Sequence, residues 1–347
     1  MKPNFQPIWW GLLHGVNDLV AGFLLADYLS AHSYQQSFML ASLYAIIGFG
    51  GQVPVGFWLD RTRRLQLAAH CSLFFLPLAA ALYFVSPAAA IIAAGIASAF
   101  VHVTGGVVCL QAAEGKTGTL GLFTAPGVLG LTAGGLLGAT GAWIPLLTIG
   151  AVIFIAWGIL RKPLPPMLQT AGKEPVLDRH DHVMLVILVF MCFRSFLFDV
   201  VNYIAEHYEN GILYMGISAF AGKIIGGFLA DRIGIRRFLY GSLLMALLLF
   251  QFGKQDLLAL CGGIACLQSS VPLTLLLMSR SIPQYPATAT AFSLGLSIVL
   301  AGLPLYLLSD KRPLHTAFSN PWLTALLFAV VLLSALLTGK RIFRSTS

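Results

Sequence analysis

The stretch GLLHGVNDLVAGF at 11–23 sets His14 four residues before Asp18 inside an otherwise apolar run. On a helix that spacing puts both side chains on one face, one turn apart. Imidazole titrates near neutrality, so such a pair is able to hold and release a proton. Asn17 adds a neutral amide beside Asp18. Further apolar runs carry His102 (SAFVHVTGG), Arg194, Asp199 and Asn202 (FRSFLFDVVN), and Gln268 (ACLQSS). Arg194 and Asp199 stand five apart and point about 140° away from one another on a helix. Arg194 is therefore expected to face a central cavity and to meet Asp18 or an anionic solute. For His102 taken alone, a packing residue outweighs a proton carrier. Trp9, Trp10 and Phe193 are expected to supply apolar walls.

The elements that must hold these groups follow from composition. Of 347 residues, 58% are hydrophobic and 10% charged, with a mean hydropathy of +0.84. Soluble domains carry roughly 25% charge, so the chain is read as an all-α, multi-spanning membrane protein. About 20 apolar residues are needed per crossing. That rule gives twelve spans at 8–30, 37–59, 66–86, 88–110, 118–140, 142–160, 183–206, 210–230, 237–253, 256–279, 286–308 and 320–339. Short connections at Ser86-Pro87 and around Gly141 leave the count at ten to twelve. Asp18 then sits about 15 Å deep in a core of ~30 Å. Charges at that depth cost about 2.5–3.5 kcal/mol each, which marks them as functional.

Most Lys and Arg flank the spans on one side, among them Arg61, Arg63, Arg64, Lys116, Arg161, Arg232, Arg236, Arg237 and Arg280. That side is cytoplasmic by the positive-inside rule, and both termini lie there. The net charge of +8 is spread as span flanks, so nucleic acid is not an expected partner. The plasma membrane, bacterial inner membrane included, is the expected location. The polar segment RKPLPPMLQTAGKEPVLDRHDH at 161–182 reads as a cytoplasmic linker between six-helix bundles at 1–160 and 183–347. The five cysteines all fall in apolar runs without metal-site spacing and read as small hydrophobes. The run from Ile8 to Leu29 is too long for a signal peptide and reads as the first span.

GFWLDRTRR at 56–64 and GGFLADRIGIRR at 226–237 match at one constant offset: Gly56 and Gly227, Asp60 and Asp231, Arg61 and Arg232. Both end the second span of their half, the sign of a duplicated transporter fold. The second copy, with Gly227, Asp231, Arg232, Gly234, Arg236 and Arg237, resembles the signature loop of the major facilitator superfamily. The first departs from it by placing Arg63 where the signature has glycine. The resemblance implies a cytoplasmic latch in which Gly allows close approach, Asp meets a helix N-terminus and Arg pairs with acids on neighbouring helices. Glu114 is the candidate partner of Arg61 or Arg64. Lys223, at the position of Gln52 in the first copy, either snorkels or pairs with an acid near the latch.

The His14–Asp18 stretch, His102 in helix four and IPQYPATATAFSLGLS at 282–297 together resemble the fosmidomycin-resistance-type exporters. Gly130, Gly134 and Gly135 of helix five resemble an antiporter signature, although Leu131 replaces its proline and Pro126 is displaced. These likenesses imply proton-coupled export of a small organic molecule by a monomeric carrier in the bilayer, with proton-driven uptake as the alternative. No metal, cofactor or enzymatic activity is expected. EGKTG at 114–118 lacks the first glycine of a nucleotide loop, since Leu110 stands there. The HDH run at His180, Asp181 and His182 is the one candidate cluster for a membrane-embedded enzyme, and a hydrophilic linker end outweighs it. A non-transporting receptor leaves the doubled loop unexplained.

Overall fold

The computed structural model describes residues 5–31, 34–138, 143–161, 163–164, 166–167, 179–253 and 256–307. Their regular structure is entirely helical. In chain order the helices are α1 (Gln6–Ala31), α2 (Tyr34–Tyr44), α3 (Gln52–Thr62), α4 (Leu65–Leu82), α5 (Pro87–Ala113), α6 (Thr117–Leu137) and α7 (Trp143–Leu160). After the central polar segment come α8 (Arg179–Ala205), α9 (Gly211–Ile233), α10 (Ile235–Phe252), α11 (Leu257–Gln268), α12 (Ser270–Ser281), α13 (Pro286–Ala291) and α14 (Ser297–Leu307). Nine continuous helical stretches among the described residues, with α2–α3 and α11–α12 each counted as one, are long and apolar enough to cross a membrane, and two shorter apolar ones cover Leu147–Leu160 and Pro286–Gly302. The expected span at 320–339, most of the 161–182 segment and the side chains of His180 and Asp181 lie outside the described residues.

Local chemistry explains the boundaries. Ser86 accepts from the Ala89 amide with Pro87 at the first helical position, which starts α5. Asp256 caps α11 through the Leu258 amide. Three expected spans are interrupted. π-helical turns at Ala45–Gly50 and Phe292–Leu296 join α2 to α3 and α13 to α14. α11 gives way to α12 at Ser269, where Pro272 has no amide to offer the carbonyl of Gln268. The polarity is that of a protein solvated by lipid: Phe74, Ile153, Phe154, Trp157 and Leu258 are exposed, while Asn17, Gln52, His102, Arg194 and Gln268 are buried. Two apolar cores result. One is built mainly from α1 to α7, the other mainly from α8 to α13.

The two sequence copies perform one task twice. Asp60, at the end of α3, accepts from the amides of Ala287 and Thr288 at 3.0 and 2.7 Å and from the Thr288 hydroxyl at 2.7 Å. Asp231, at the end of α9, accepts from the amides of Thr117 and Gly118 at 2.7 and 2.8 Å and from the Thr117 hydroxyl at 2.8 Å. Each carboxylate thus caps a helix of the other half of the chain, α13 or α6, where free amides and the helix dipole favour an anion. Gly56 and Gly227 allow the approach: a Cβ would stand 3.0 Å from the Ala287 carbonyl oxygen in one case and 2.8 Å from that of Thr117 in the other. Arg63 and Gly234 both end their helices with positive φ, 58° and 94°, and donate to the equivalent carbonyls of Leu59 and Ala230, but ψ is 18° at Arg63 and 132° at Gly234, so the cap is kept without the glycine while the chain leaves it in a different direction. The arginines do not form the expected ion pairs. Glu114 is exposed and meets neither Arg61 nor Arg64, and Arg63 instead reaches the Gln284 carbonyl at 3.4 Å.

The glycines of α6 face α1. Added Cβ atoms at Gly130 and Gly134 would collide with the carbonyl oxygens of Gly15 and Leu19, whereas one at Gly135 would meet nothing within 4 Å. Close packing therefore accounts for two of the three signature glycines.

Two measurements test this architecture. Gly134→Ala is expected to destabilise the protein by about 1–3 kcal/mol through overpacking, while neighbouring Gly135→Ala is neutral or stabilising by up to ~1 kcal/mol. Thermal unfolding in detergent reads the contrast, and equal effects would refute the α1–α6 contact. Asp60→Ala and Asp231→Ala each strip a helix N-terminus of its acceptor, at about 1–3 kcal/mol. Distances between spin labels at Thr62 and Arg280 should shift toward separated populations by roughly 5- to 150-fold. The shift should be larger for the buried Asp60 than for the exposed Asp231.

Candidate functional site

Asp18 lies at the centre of a buried polar cluster. Its Oδ2 is 3.2 Å from His14 Nε2, its Oδ1 is 3.8 Å from His102 Nε2, and Asn17 Nδ2 donates to Oδ1 at 2.8 Å. The expected pairing one turn apart on α1 is formed, and His102 of α5 joins it. The two imidazole rings meet edge to face with centroids 4.4 Å apart.

Backbone carbonyls fix both imidazoles. His14 Nδ1 lies 2.9 Å from the Phe123 carbonyl oxygen, and His102 Nδ1 lies 2.7 Å from that of Ser98. A carbonyl only accepts, so both Nδ1 atoms are assigned as N–H donors. What remains for Asp18 is the Nε2 of each ring. Without a proton there, a lone pair would face a carboxylate, which is repulsive. Attraction requires a shared proton, carried either by the imidazole or by the carboxyl. The cluster is therefore anionic when empty, neutral with one shared proton and cationic with two. It is also the group of His and Asp side chains, among the described residues, whose donor atoms lie within 4.8 Å of one another, the spacing that holds a single small cation.

The sequence of α6 makes room for this geometry. Pro126, inside α6, cannot donate to the carbonyl of Leu122. Gly127 follows, and a Cβ there would strike the ring of His14. The Pro126-Gly127 pair that departs from the antiporter signature thus seats the histidine.

The cluster borders a cavity of about 200 Å³ between the two halves of the chain. Its lining includes Arg194, Asp199, Lys223, Gln268, Ser293 and the apolar Phe49, Val128, Leu131 and Phe198. Both π-helical turns contribute, through Ala45 and Phe49 in one and Ser293 and Leu294 in the other. Such turns commonly re-aim side chains at functional sites. Arg194 donates to the Thr274 hydroxyl at 2.8 Å. It does not meet Asp18, whose partners are the two histidines and Asn17, so that expected contact across the halves is replaced by a shared cavity. Lys223 is not part of the latch: it turns into the cavity and donates to the Thr124 carbonyl at 3.2 Å. Its first-copy counterpart Gln52 reaches the carbonyls of Gly48 and Leu294 at 3.1 and 3.5 Å. Asn202 is half-buried outside the lining.

Trp9, Trp10 and Phe193 do not form the walls. Trp10 is wholly buried in the first core and Trp9 packs on Phe154 and Trp157. Phe49 and Phe198 take that role. Asp27, near the end of α1, accepts from the Tyr83 hydroxyl at 3.1 Å and is not simply solvated. Sequence reasoning missed Thr117 and Thr288, the hydroxyls that serve the two latch carboxylates. They are separated by the same 171 residues as the latch copies, in TGT at 117–119 and TAT at 288–290. Extending the repeat past its first motif would have found them.

Comparison with known proteins agrees with this architecture. Residues 11–292 match the Major Facilitator Superfamily. Among solved structures, FucP, a transporter of that superfamily in an outward conformation, superposes with a TM-score of 0.73 at 17% identity, covering 97% of this chain and 99% of its own. The E. coli fucose:proton symporter FucP in a second structure gives 0.73 at 16%, covering 96% and 97%. The human organic anion transporter MFSD10 gives 0.63 at 16%, covering 95% and 100%. No curated protein matches the chain. With its helices, its doubled latch and a family match over most of its length, the chain belongs to the Major Facilitator Superfamily, as an integral multi-pass membrane transporter and not an enzyme.

Proposed function

We propose that this transporter couples protons to the movement of a small organic molecule by alternating access, and that it works as an exporter. One observation carries the proton coupling: Asp18 faces two imidazoles whose Nδ1 atoms are both committed to carbonyls. Such a cluster binds and releases protons where the cavity reaches it. The bundles at 1–160 and 183–347, joined by the 161–182 linker, are the moving bodies in this reading. The latch side faces the cytoplasm of a cell bounded by its plasma membrane, as the Lys/Arg bias supports. Both termini lie on that side.

Export rests on the likeness to fosmidomycin-resistance-type exporters. The α6 glycines add nothing to it, since packing against α1 explains Gly130 and Gly134. Proton-driven uptake is the second reading, favoured by the likeness in fold to the fucose:proton symporter.

Proteoliposomes loaded with a pH-sensitive dye separate these readings. Small organic solutes, added one at a time, should provoke proton movement in wild type. With acid outside, antiport drives the solute out and symport drives it in. Asp18→Asn is expected to abolish accumulation against a gradient while downhill exchange persists. Unchanged accumulation, with unchanged pH dependence, would remove the coupling role of Asp18.

A further inference from the structure

We infer that the cavity binds an organic anion through Arg194 and Lys223, with a carboxylate as the group recognised. This deepens the transport reading above and rests on it for the idea that the cavity takes a solute.

Two cations from different helices line one small space. Arg194 of α8 is 3% exposed, and Lys223 of α9 is half-buried. Among the described residues each hydrogen-bonds a neutral group: the Thr274 hydroxyl at 2.8 Å and the Thr124 carbonyl at 3.2 Å. Neither forms an ion pair with a described residue. Arg194 Nε is buried and donates to nothing among the described residues. A guanidinium deep in a lipid-solvated protein is retained at high cost unless an anion meets it.

The acids at hand do not meet that need. Asp18 is occupied by His14, His102 and Asn17. Asp199 also borders the cavity, but it projects from α8 about 140° around the helix from Arg194. With one proton shared in the Asp18 cluster, the lining holds two cations against one carboxylate, and a monoanionic solute balances it.

The shape agrees with the charge. A guanidinium presents a planar fork that matches a carboxylate, and an ammonium can close on it from another side. Val128, Leu131, Phe198 and Val271 leave apolar surface for the rest of the molecule. At about 200 Å³ the space is below the ~300–1,000 Å³ of drug-sized pockets, so the solute is small. The internal repeat supplies a further contrast. Gln52 occupies the position of Lys223 in the first copy, points to a carbonyl of the opposite half in the same manner, and is neutral. The cation belongs to one copy alone, as a ligand contact would and a packing contact need not.

Full-length protein, purified and without any proton gradient, tests this by thermal unfolding with matched pairs of carboxylates and their amides: acetate and acetamide, benzoate and benzamide, phenylacetate and phenylacetamide. At least one carboxylate should raise the unfolding temperature in a saturable way, and its amide should not. Lys223→Gln, a side chain that the equivalent site already accommodates, should weaken that carboxylate about 10- to 100-fold, as loss of a charge-assisted bond does. Arg194→Gln should abolish the shift, and Arg194→Lys should restore it in part, which separates lost recognition from lost folding. Amides as effective as acids, a carboxylate shift indifferent to both substitutions, or no carboxylate effect in wild type would each overturn the assignment. Because no gradient is applied, failure of proton coupling leaves this result standing. Conversely, proton movement provoked by amides alone would overturn the anion site and leave coupling intact.

Discussion

Water is absent from the hydrocarbon core, so polar groups placed there must find their partners within the protein. That constraint organises this molecule more than any apolar contact does. Lipid is as apolar as leucine and gives helices little reason to associate. The carboxylates do give a reason, because each is completed by a different segment of chain. Asp60 needs the start of α13, Asp231 needs the start of α6, and Asp18 needs His102 of α5. Glycines at 56, 130, 134 and 227 follow from the same demand, since carbonyls and carboxylates reach across only where backbones come close.

Duplication has been kept where the halves clasp and lost where they bind. Four pairs of positions share the 171-residue offset and play matching parts at the latch: Gly56 and Gly227, Asp60 and Asp231, Arg63 and Gly234, Thr117 and Thr288. At the same offset from His14, Asp18 and His102 stand Leu185, Val189 and Leu273, and opposite Arg194 stands Phe23. In the proposed cycle a symmetric clasp suits two bodies that rock about a common axis. There, a single proton cluster and a single cation pair set one stoichiometry for the cavity, which a doubled set of ionisable groups would not.

The sequence made the helices, the lipid-facing composition, the latch and the His14–Asp18 pair legible, because each rests on short-range spacing or on composition. Helix interruptions were not legible. AIIGFGG and FSLGL scan as unbroken apolar runs, and only packing shows that Gly51 accepts a π turn while Gly295 faces the Phe49 carbonyl. The direction of long side chains was equally hidden. Lys223 is four residues from Gly227 and looked like part of the latch, yet its ammonium turns to Thr124 and the cavity. Arg194 and Asp18 border one cavity, but the distance between them depends on helix rotation, which periodicity in a uniformly apolar helix does not define. Indole rings posed the same problem, and Trp9 and Trp10 pack away from the site.

Latch and cavity are joined through α6. Its N-terminus is held by Asp231, and two turns further on its consecutive carbonyls, Phe123 and Thr124, accept from His14 and Lys223. Pro126 and Gly127 lie just beyond, where the helix lacks one amide donor and Gly127 has no side chain to keep the imidazole away. α9 repeats the connection from the other side, because Asp231 and Lys223 belong to one rigid helix. In the proposed cycle, release of Asp231 frees α6 to move relative to α9, and such movement displaces the Thr124 carbonyl from Lys223. α6 also packs closely on α1 through Gly130 and Gly134, so the Asp18 cluster travels with it. In the proposed cycle a change in charge at Asp18 or at the cation pair acts on the same contact that the latch closes. The shared helix is then the element by which cavity occupancy biases the latch and the latch biases occupancy, as reciprocity of coupling requires.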